Sequence, residues 1–174
     1  MTKNKTIKNI FLVGFMGAGK TTIGRILANK LRLTFVDLDD IIEKELKLTI
    51  EQIFSMHGEN FFRVAETKAL LSIAENEMQV VSTGGGVVLK NENWEAMEKS
   101  GITVYLKATA EILWSRVRNN TPRPLLQVEN PFGRFCELLS NRISLYEKAD
   151  LIVDTGKLSP EDVAEQITET MKSI

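Results

Sequence analysis

The chain has 174 residues, of which 43% are hydrophobic and 26% charged, which excludes a disordered chain and suits one folded domain. Its formal net charge of −1 excludes the basic excess typical of proteins that bind nucleic acids or anionic membranes. Cys136 is the single cysteine, which excludes an internal disulfide, and we expect it to be a small core residue.

The sequence also lacks signals for a membrane or for secretion. No apolar run approaches the length of a membrane span, and residues 1–8 are polar without the apolar core of a signal peptide. We therefore expect a cytoplasmic monomer that binds neither membrane nor nucleic acid.

The first predicted strand and helix enclose a glycine-rich loop. Residues 10–13 predict a buried strand, and Ile23, Leu27 and Leu31 mark one face of a helix. Between them, residues 14–22 read Gly-Phe-Met-Gly-Ala-Gly-Lys-Thr-Thr, the phosphate-binding loop pattern in the strand–loop–helix context that it requires. Such a loop binds phosphates because glycines let consecutive N–H groups surround an anion at a helix N-terminus.

The last residues of this loop add side-chain contacts to those of the backbone. Lys20 can reach the outer phosphates of a nucleotide, and the Thr21 hydroxyl can bind Mg²⁺. The loop residues predicted to bind ATP are Gly14, Gly17, Ala18, Gly19, Lys20, Thr21 and Thr22.

The second predicted strand, over residues 34–36, ends in a run of carboxylates. Asp40 is predicted to cap the helix that follows, which leaves Asp37 and Asp39 free. If the chain is still extended there, their two-residue spacing points both side chains the same way. A phosphotransferase needs one carboxylate near Mg²⁺ and one near the acceptor hydroxyl. The alternative is a pair of surface carboxylates at a helix start.

Two helices are predicted next, over residues 49–55 and 59–75, with a break at Gly58 between them. Arg63 and Glu66 share a face of the second helix. From this spacing alone a surface ion pair is the simpler interpretation, although an arginine is also suited to bind a carboxylate.

A third predicted strand, over residues 80–82, leads directly to Gly84, Gly85 and Gly86. Three glycines expose backbone N–H groups and allow a ligand to approach closely, and the alternative is a flexible turn. Ser82 could orient a water molecule on the metal.

The remainder of the chain continues the alternation of strands and helices. Strands are predicted over residues 103–106 and 151–153, and helices over residues 92–99, 110–118, 133–148 and from Pro160 onward. About five strands alternating with helices predict an α/β fold, a parallel sheet covered by helices on both faces. Ligands bind such sheets at the carboxyl ends of the strands.

Residues 119–131 interrupt this alternation, with three of the four prolines and no strong periodicity. A mobile lid here could bring Arg123 to the γ-phosphate, exclude water and balance developing charge. A solvated loop is the alternative interpretation.

Taken together, these motifs resemble the shikimate kinase family. The matching features are the loop at 14–22, Asp37-Leu-Asp39, Phe62-Arg63-x-x-Glu66, Gly84-Gly85-Gly86, Arg123-Pro124-Leu125-Leu126 and Arg142-x-x-x-Tyr146. The resemblance implies a P-loop kinase fold in a single domain over residues 1–174, with a lid at about 119–131. It implies ATP-dependent phosphorylation of the 3-hydroxyl of shikimate with Mg²⁺, in the pathway to chorismate and the aromatic amino acids.

Two rival functions follow from the phosphate loop alone. A related small-molecule kinase would act on a gluconate-like acceptor, but the motifs around Arg63 and Gly84 argue against it. A GTP-dependent switch would need an Asn-Lys-x-Asp guanine-binding motif, which the sequence lacks.

The resemblance further implies roles around the phosphates. Lys20 and the loop amides hold ATP, Arg123 reaches the phosphates from the lid, and Arg116 lies against adenine. Thr21 binds Mg²⁺ directly, while Asp37 and Ser82 contact it through water. The implied catalytic residues are Asp39, Lys20 and Arg123, with Asp39 as the base or orienting group for the attacking hydroxyl.

The same resemblance implies the shikimate contacts. Arg63 and Arg142 bind the carboxylate together with the backbone amides of the glycine run, Gly84, Gly85 and Gly86. Phe54 and Phe62 pack against the ring, and Glu66 orients Arg63.

Overall fold

A computed structural model describes residues 9–119 and 123–172, in which strands and helices alternate along the chain. The strands are β1 (Asn9–Val13), β2 (Thr34–Asp37), β3 (Gln79–Ser82), β4 (Ile102–Lys107) and β5 (Leu151–Asp154). The helices are α1 (Lys20–Leu31), α2 (Leu38–Leu46), α3 (Ile50–Ala74), α4 (Asn91–Ser100), α5 (Ala110–Val117), α6 (Pro131–Tyr146) and α7 (Pro160–Lys172). Residues 1–8, and residues 120–122 of the predicted lid, lie outside the described residues.

The sheet has the order β2-β3-β1-β4-β5, and each neighbouring pair is parallel. After β1 the chain crosses to β2 on one side, whereas after β3 it crosses to β4 on the other. A crevice therefore opens between the carboxyl ends of β1 and β3, where open α/β sheets bind their ligands. The register aligns Leu12, Ser82 and Asp37 at this end, so the loops after three strands meet there.

The centre of the sheet is covered on both faces. Ile10, Phe11, Leu12 and Val13 are each fully buried, although successive side chains of a strand point to opposite faces. A continuous apolar run on the central strand is therefore the expected pattern for helices packed above and below it. This agrees with the predicted parallel α/β architecture.

The start of α2 differs from the prediction. Asp37, not Asp40, is the N-cap: its Oδ1 accepts a hydrogen bond from the Asp39 backbone N–H at 3.1 Å. The helix begins at Leu38, so Asp39 lies in its first turn rather than in extended chain. The predicted cap was wrong because Asp37 can satisfy a free N–H two residues on as soon as β2 ends.

Helix α3 joins the two helices that were predicted separately, with a kink at Gly58. Gly58 has φ 80° and ψ 175°, a left-handed φ that favours glycine, so the predicted break is confirmed at that residue. Cys136, expected to be a small core residue, is only half-buried on α6. Among the described residues, no helix is both long and apolar enough to span a membrane.

Candidate active site

Two adjoining cavities open at the carboxyl ends of β1, β2 and β3. The larger, of about 410 Å³, is lined by Met16, Gly17, Gly19, Lys20, Thr21, Thr22, Asp37, Asp39, Ser82, Thr83, Gly84, Gly85, Arg116, Val117 and Arg123. The smaller, of about 100 Å³, is lined by Met16, Asp39, Ile50, Phe54, Phe62, Arg63, Glu66, Gly84, Gly85, Gly86, Arg123, Pro124, Leu125 and Arg142. Most residues predicted for the nucleotide therefore line one cavity, and those predicted for the carboxylate substrate line the other.

The phosphate loop connects β1 to the N-terminus of α1. Gly17 and Gly19 have φ of 85° and 90°, and a Cβ on Gly17 would lie 2.7 Å from the Leu113 carbonyl oxygen. Both the backbone angle and the close approach therefore require glycine at position 17. The N-terminal end of α1, with its unpaired N–H groups, borders the larger cavity and forms an anion site.

Two predicted loop residues support the loop instead of lining the cavity. Gly14 offers its carbonyl oxygen to Lys20 Nζ at 2.8 Å, and the Phe15 carbonyl accepts from the same Nζ at 3.2 Å. Ala18 is buried, and its N–H donates to the Phe15 carbonyl at 3.1 Å. The loop backbone thus holds the lysine side chain close to the mouth of the cavity.

Lys20 and Asp39 both line the larger cavity and influence each other's charge. Burial lowers the pKa of Lys20 to about 8, although Asp39 and Asp37 act in the other direction. Burial also raises the pKa of Asp39 to about 6, aided by the negative charges of Asp37 and Glu66. At pH 7 the lysine is mostly protonated and the aspartate mostly ionised. Asp39 Oδ1 is buried and has no hydrogen-bond partner among the described residues, so it is available to a ligand hydroxyl.

Three predicted metal-site residues meet at the edge of the larger cavity. Thr21 Oγ1 donates to Asp37 Oδ2 at 2.8 Å and lies 3.3 Å from Ser82 Oγ. Mg²⁺ is typically held by one or two carboxylates together with water and substrate phosphates. The described residues contain no group of three or more His, Cys, Asp or Glu that could form an all-protein metal site. One carboxylate beside two hydroxyls and a phosphate loop therefore fits a magnesium–nucleotide complex.

Arg63 on α3 is held by two carboxylates. Its Nη1 donates to Glu66 Oε2 at 2.8 Å, while Nε and Nη2 donate to Glu59 Oε1 at 3.3 and 3.1 Å. Burial lowers the pKa of Arg63, but Glu66 and Glu59 more than compensate and leave it above the ordinary value. A Cβ on Gly86 would lie 2.3 Å from Arg63 Cζ, so the guanidinium packs directly on the glycine loop.

Arg142 and Tyr146 on α6 contact the same glycine loop at Gly85. Arg142 Nη1 donates to the Gly85 carbonyl at 3.3 Å, and the guanidinium lies 5.6 Å from the centre of the Phe15 ring. The Tyr146 hydroxyl donates to the same carbonyl oxygen, and burial raises the pKa of Tyr146, so the hydroxyl keeps its proton. The loop after β3 is thus fixed between two arginines.

The remaining predicted site residues lie around these contacts. Phe54 and Phe62 form an apolar wall of the smaller cavity, with ring centres 4.8 Å apart. Arg123 lines both cavities. Arg116 donates to the Thr155 carbonyl at 2.8 Å and is thereby held beside the larger cavity. Its contact with adenine stays a prediction.

Sequence reasoning missed several residues that shape the site. Glu59 stands four residues before Arg63, so helical spacing could have identified this ion pair. Thr155 follows β5, and Thr83 follows β3 and donates to the Leu12 carbonyl at 2.8 Å. The rule that strand ends meet at one edge of the sheet was the available signal for both threonines.

Known proteins match this chain over nearly its whole length. The family model described as "Shikimate kinase" matches residues 16–172. A shikimate kinase of Thermodesulfovibrio yellowstonii is 48% identical over 161 residues, which cover 92% of this chain and 93% of that protein. A structure of shikimate kinase from Acinetobacter baumannii in complex with shikimate has a TM-score of 0.93 and 40% identity, covering 97% of this chain and 94% of that one. The shikimate kinase structure from Aquifex aeolicus has a TM-score of 0.84 and 34% identity, covering 95% and 96%. The predicted P-loop kinase fold is confirmed, and the chain belongs to the shikimate kinase family.

Proposed function

We propose that the protein transfers the γ-phosphoryl group of ATP to the 3-hydroxyl of shikimate, giving shikimate 3-phosphate and ADP on the route to chorismate. The observation that supports this most directly is the position of Asp39. Its carboxylate lines both cavities, and its buried Oδ1 is available to a hydroxyl from the acceptor side. Membership of the family supports the identity of the acceptor.

The larger cavity takes the nucleotide in this proposal. The amides of the phosphate loop and Lys20 hold the phosphates, and Arg116 lies at the adenine side. Thr21, Asp37 and Ser82 would hold Mg²⁺, Thr21 directly and the other two through water. Asp37 Oδ2 and Ser82 Oγ lie 2.8 and 3.3 Å from Thr21 Oγ1. When bound, the ion would neutralise charge that develops on the phosphoryl oxygens.

The smaller cavity takes shikimate. Two of the positive groups on its wall, Arg63 and Arg142, suit a carboxylate, which an arginine can bind with two parallel hydrogen bonds. The N–H groups of the glycine run add backbone donors beside them. Phe54 and Phe62 offer an apolar surface to the carbon ring.

Catalysis then rests on position and charge. Asp39 accepts a hydrogen bond from the 3-hydroxyl and takes up or passes on its proton as the oxygen attacks the γ-phosphorus. The bond from that phosphorus to the β–γ bridging oxygen breaks, and ADP leaves. Lys20, and Arg123 from the proposed lid, balance the negative charge that builds up on the transferred group.

The identity of the product tests this proposal. We expect ³¹P and ¹H NMR of a reaction with ATP, MgCl₂ and shikimate to show one new phosphate monoester, coupled to the proton on carbon 3. Phosphate on another hydroxyl, or no new ester, would contradict the proposal. The rival gluconate-like acceptor is not favoured, since the match to the shikimate kinase family spans residues 16–172.

A further inference from the structure

The carboxylate-binding side of the smaller cavity has a feature that substrate binding alone does not require. A guanidinium has five N–H donors, and three of those on Arg63 already donate to carboxylates. One of them bonds Glu66 and two bond Glu59. Counting contacts with residues 9–119 and 123–172, two N–H donors of Arg63 therefore remain for an incoming carboxylate.

The two carboxylates differ in how firmly they are held. The Glu66 side chain is 1% exposed and bonds Nη1 at 2.8 Å, so it is a fixed part of the site. The Glu59 side chain is 43% exposed, and its bonds to Arg63 are longer, at 3.1 and 3.3 Å. Ion pairs of this exposed kind contribute little to stability and exchange readily with water.

Glu59 also lies outside the cavity that it influences. It is not a lining residue of either substrate cavity, whereas Arg63 lines the smaller one. Glu59 immediately follows the kink at Gly58, so it starts the second part of α3 and reaches Arg63 one helical turn later. It therefore holds the guanidinium from the solvent side.

The local charge balance follows from these contacts. Arg63, Arg142 and Arg123 bring positive charge to the wall of the smaller cavity. Negative charge comes from Asp39 and Glu66 on that wall and from Glu59, which pairs with Arg63. Glu59 therefore reduces the positive charge that a carboxylate meets when it approaches Arg63. Removal of Glu59 would raise the net charge beside the cavity by one positive unit.

We propose that Glu59 competes with the substrate carboxylate for Arg63 and so weakens the binding of acidic acceptors. This inference rests on the proposed function, because it takes shikimate as the anionic ligand of the smaller cavity. Glu59 acts through Arg63 and is a positioning residue, whereas Arg63 is a binding residue. We expect Glu59 to change the affinity for the acceptor and not the affinity for the nucleotide.

The test compares Glu59→Gln and Glu59→Ala with the wild type by calorimetric titration of shikimate and, separately, of ADP. Glutamine keeps an acceptor oxygen in place and removes the charge, whereas alanine removes both. We expect both variants to bind shikimate about two- to fivefold more tightly, with a smaller change at high salt and none for ADP. Glu51→Gln, an equal charge change at an exposed site on the same helix, is the matched control and should change neither affinity.

The methyl ester of shikimate separates charge from shape, since it lacks the carboxylate charge. We expect its affinity to be the same in the wild type and in Glu59→Gln.

The inference is overturned if Glu59→Gln binds shikimate no more tightly than the wild type, or if Glu59→Ala binds it more weakly, because Glu59 would then only orient Arg63. Steady-state kinetics with the wild type keep the two proposals apart: phosphorylation of shikimate supports the proposed function whatever Glu59 does. For the variants, KM for shikimate should fall by a larger factor than any change in kcat.

Discussion

At the scale of single residues, burial lowers the pKa of Lys20 and raises the pKa of Asp39, so that both values lie within about one unit of pH 7. The pKa of Lys20 is lowered to about 8 and that of Asp39 raised to about 6, in both cases chiefly by burial. Between these two values the lysine is charged for phosphate binding and the aspartate is charged for the hydroxyl. The sequence predicted both residues, but it could not predict the shifts, because burial depends on how α2 and the phosphate loop pack.

Lys20→Ala is expected to abolish most phosphoryl transfer without unfolding the protein. The side chain bonds only loop carbonyls, at 2.8 and 3.2 Å, among the contacts described, so its loss removes no core packing. Loss of one charge-stabilising contact commonly lowers kcat on the order of 10²–10³-fold. Circular dichroism and the Tm should stay close to the wild type, and near-normal turnover by the folded variant would refute the role of the loop lysine.

Asp39→Asn is expected to stabilise the fold while it inactivates the enzyme. Because the pKa of Asp39 is raised from 3.8 to about 6 in the folded state, ionising it costs folding free energy, and this cost appears as the pH rises from about 4 to about 6. Asparagine removes this cost, but it also removes the charge that offsets part of the burial of Lys20. We therefore expect a net gain in the free energy of unfolding of about 1–2 kcal/mol. Urea unfolding of the variant and the wild type at pH 4 and pH 8 measures this gain in the free energy of unfolding. The gain should be present at pH 8 and absent at pH 4, and exposed Asp40→Asn should show no such gain.

The pH dependence of turnover follows from the same two groups. Since Asp39 must be ionised and Lys20 protonated, kcat/KM for ATP should fall below about pH 6 and above about pH 8. Initial rates from pH 5 to pH 9.5 in buffers of constant ionic strength would show this bell shape. A flat profile across both limits would contradict the assigned protonation states.

At the scale of elements, the site is built where three loops and two helices converge. The phosphate loop, the start of α2 and the glycine run after β3 could be predicted because each follows a strand whose carboxyl end faces the same crevice. The N-cap of α2 could not be predicted, because Asp37, Asp39 and Asp40 are all acceptable caps by residue type. The choice depends on where β2 ends, which pairing with β3 decides.

Arg63→Ala and Arg142→Ala are expected to weaken shikimate binding far more than ATP binding. Both arginines line the smaller cavity and neither lines the larger one. Each should lose a charge-assisted contact worth about 1.5–3 kcal/mol, or roughly 10- to 100-fold in Kd. Calorimetry with each ligand separately measures this, and equal losses for both ligands would mean that these arginines are structural.

Arg123→Ala is expected to lower kcat on the order of 10²-fold, with a smaller change in KM, because its contact with phosphate is proposed to form in the closed site. Arg123 lines both cavities, just before a short 3₁₀ turn at Pro124–Leu126. Exposed Arg118→Ala, an equal charge change at the end of α5, is the control.

Hydrogen exchange tests the proposed lid independently of the substitution. Exchange over residues 123–130 should slow when ADP and shikimate are added together, and less with either alone. Equal protection with and without ligands, together with normal turnover by the Arg123 variant, would leave no functional lid.

At the scale of the whole molecule, alternating strand and helix patterns were enough to predict five parallel strands between layers of helices. The strand order β2-β3-β1-β4-β5 was not predicted, because periodicity does not state which strands are neighbours. The ion pair of Glu59 with Arg63 was also missed, since an exposed acidic residue on a helix is common and usually unimportant. Most residues that line the two cavities were therefore predictable from sequence, whereas contacts such as the Glu59–Arg63 ion pair required the fold.

The monomeric state stays a prediction at this scale. Size-exclusion chromatography with light scattering should give a mass near 19.6 kDa at micromolar concentration. A mass near twice that value would contradict the expectation.

The most direct test of the central claim is the rate of ADP formation from ATP and MgCl₂ with shikimate, compared with gluconate at the same concentration and with no acceptor. We predict turnover with shikimate on the order of 1–100 s⁻¹, in the usual range for kinases, and only background ADP formation in the other two reactions. Faster turnover with gluconate, or equal ADP formation without an acceptor, would contradict the assignment of shikimate as the substrate.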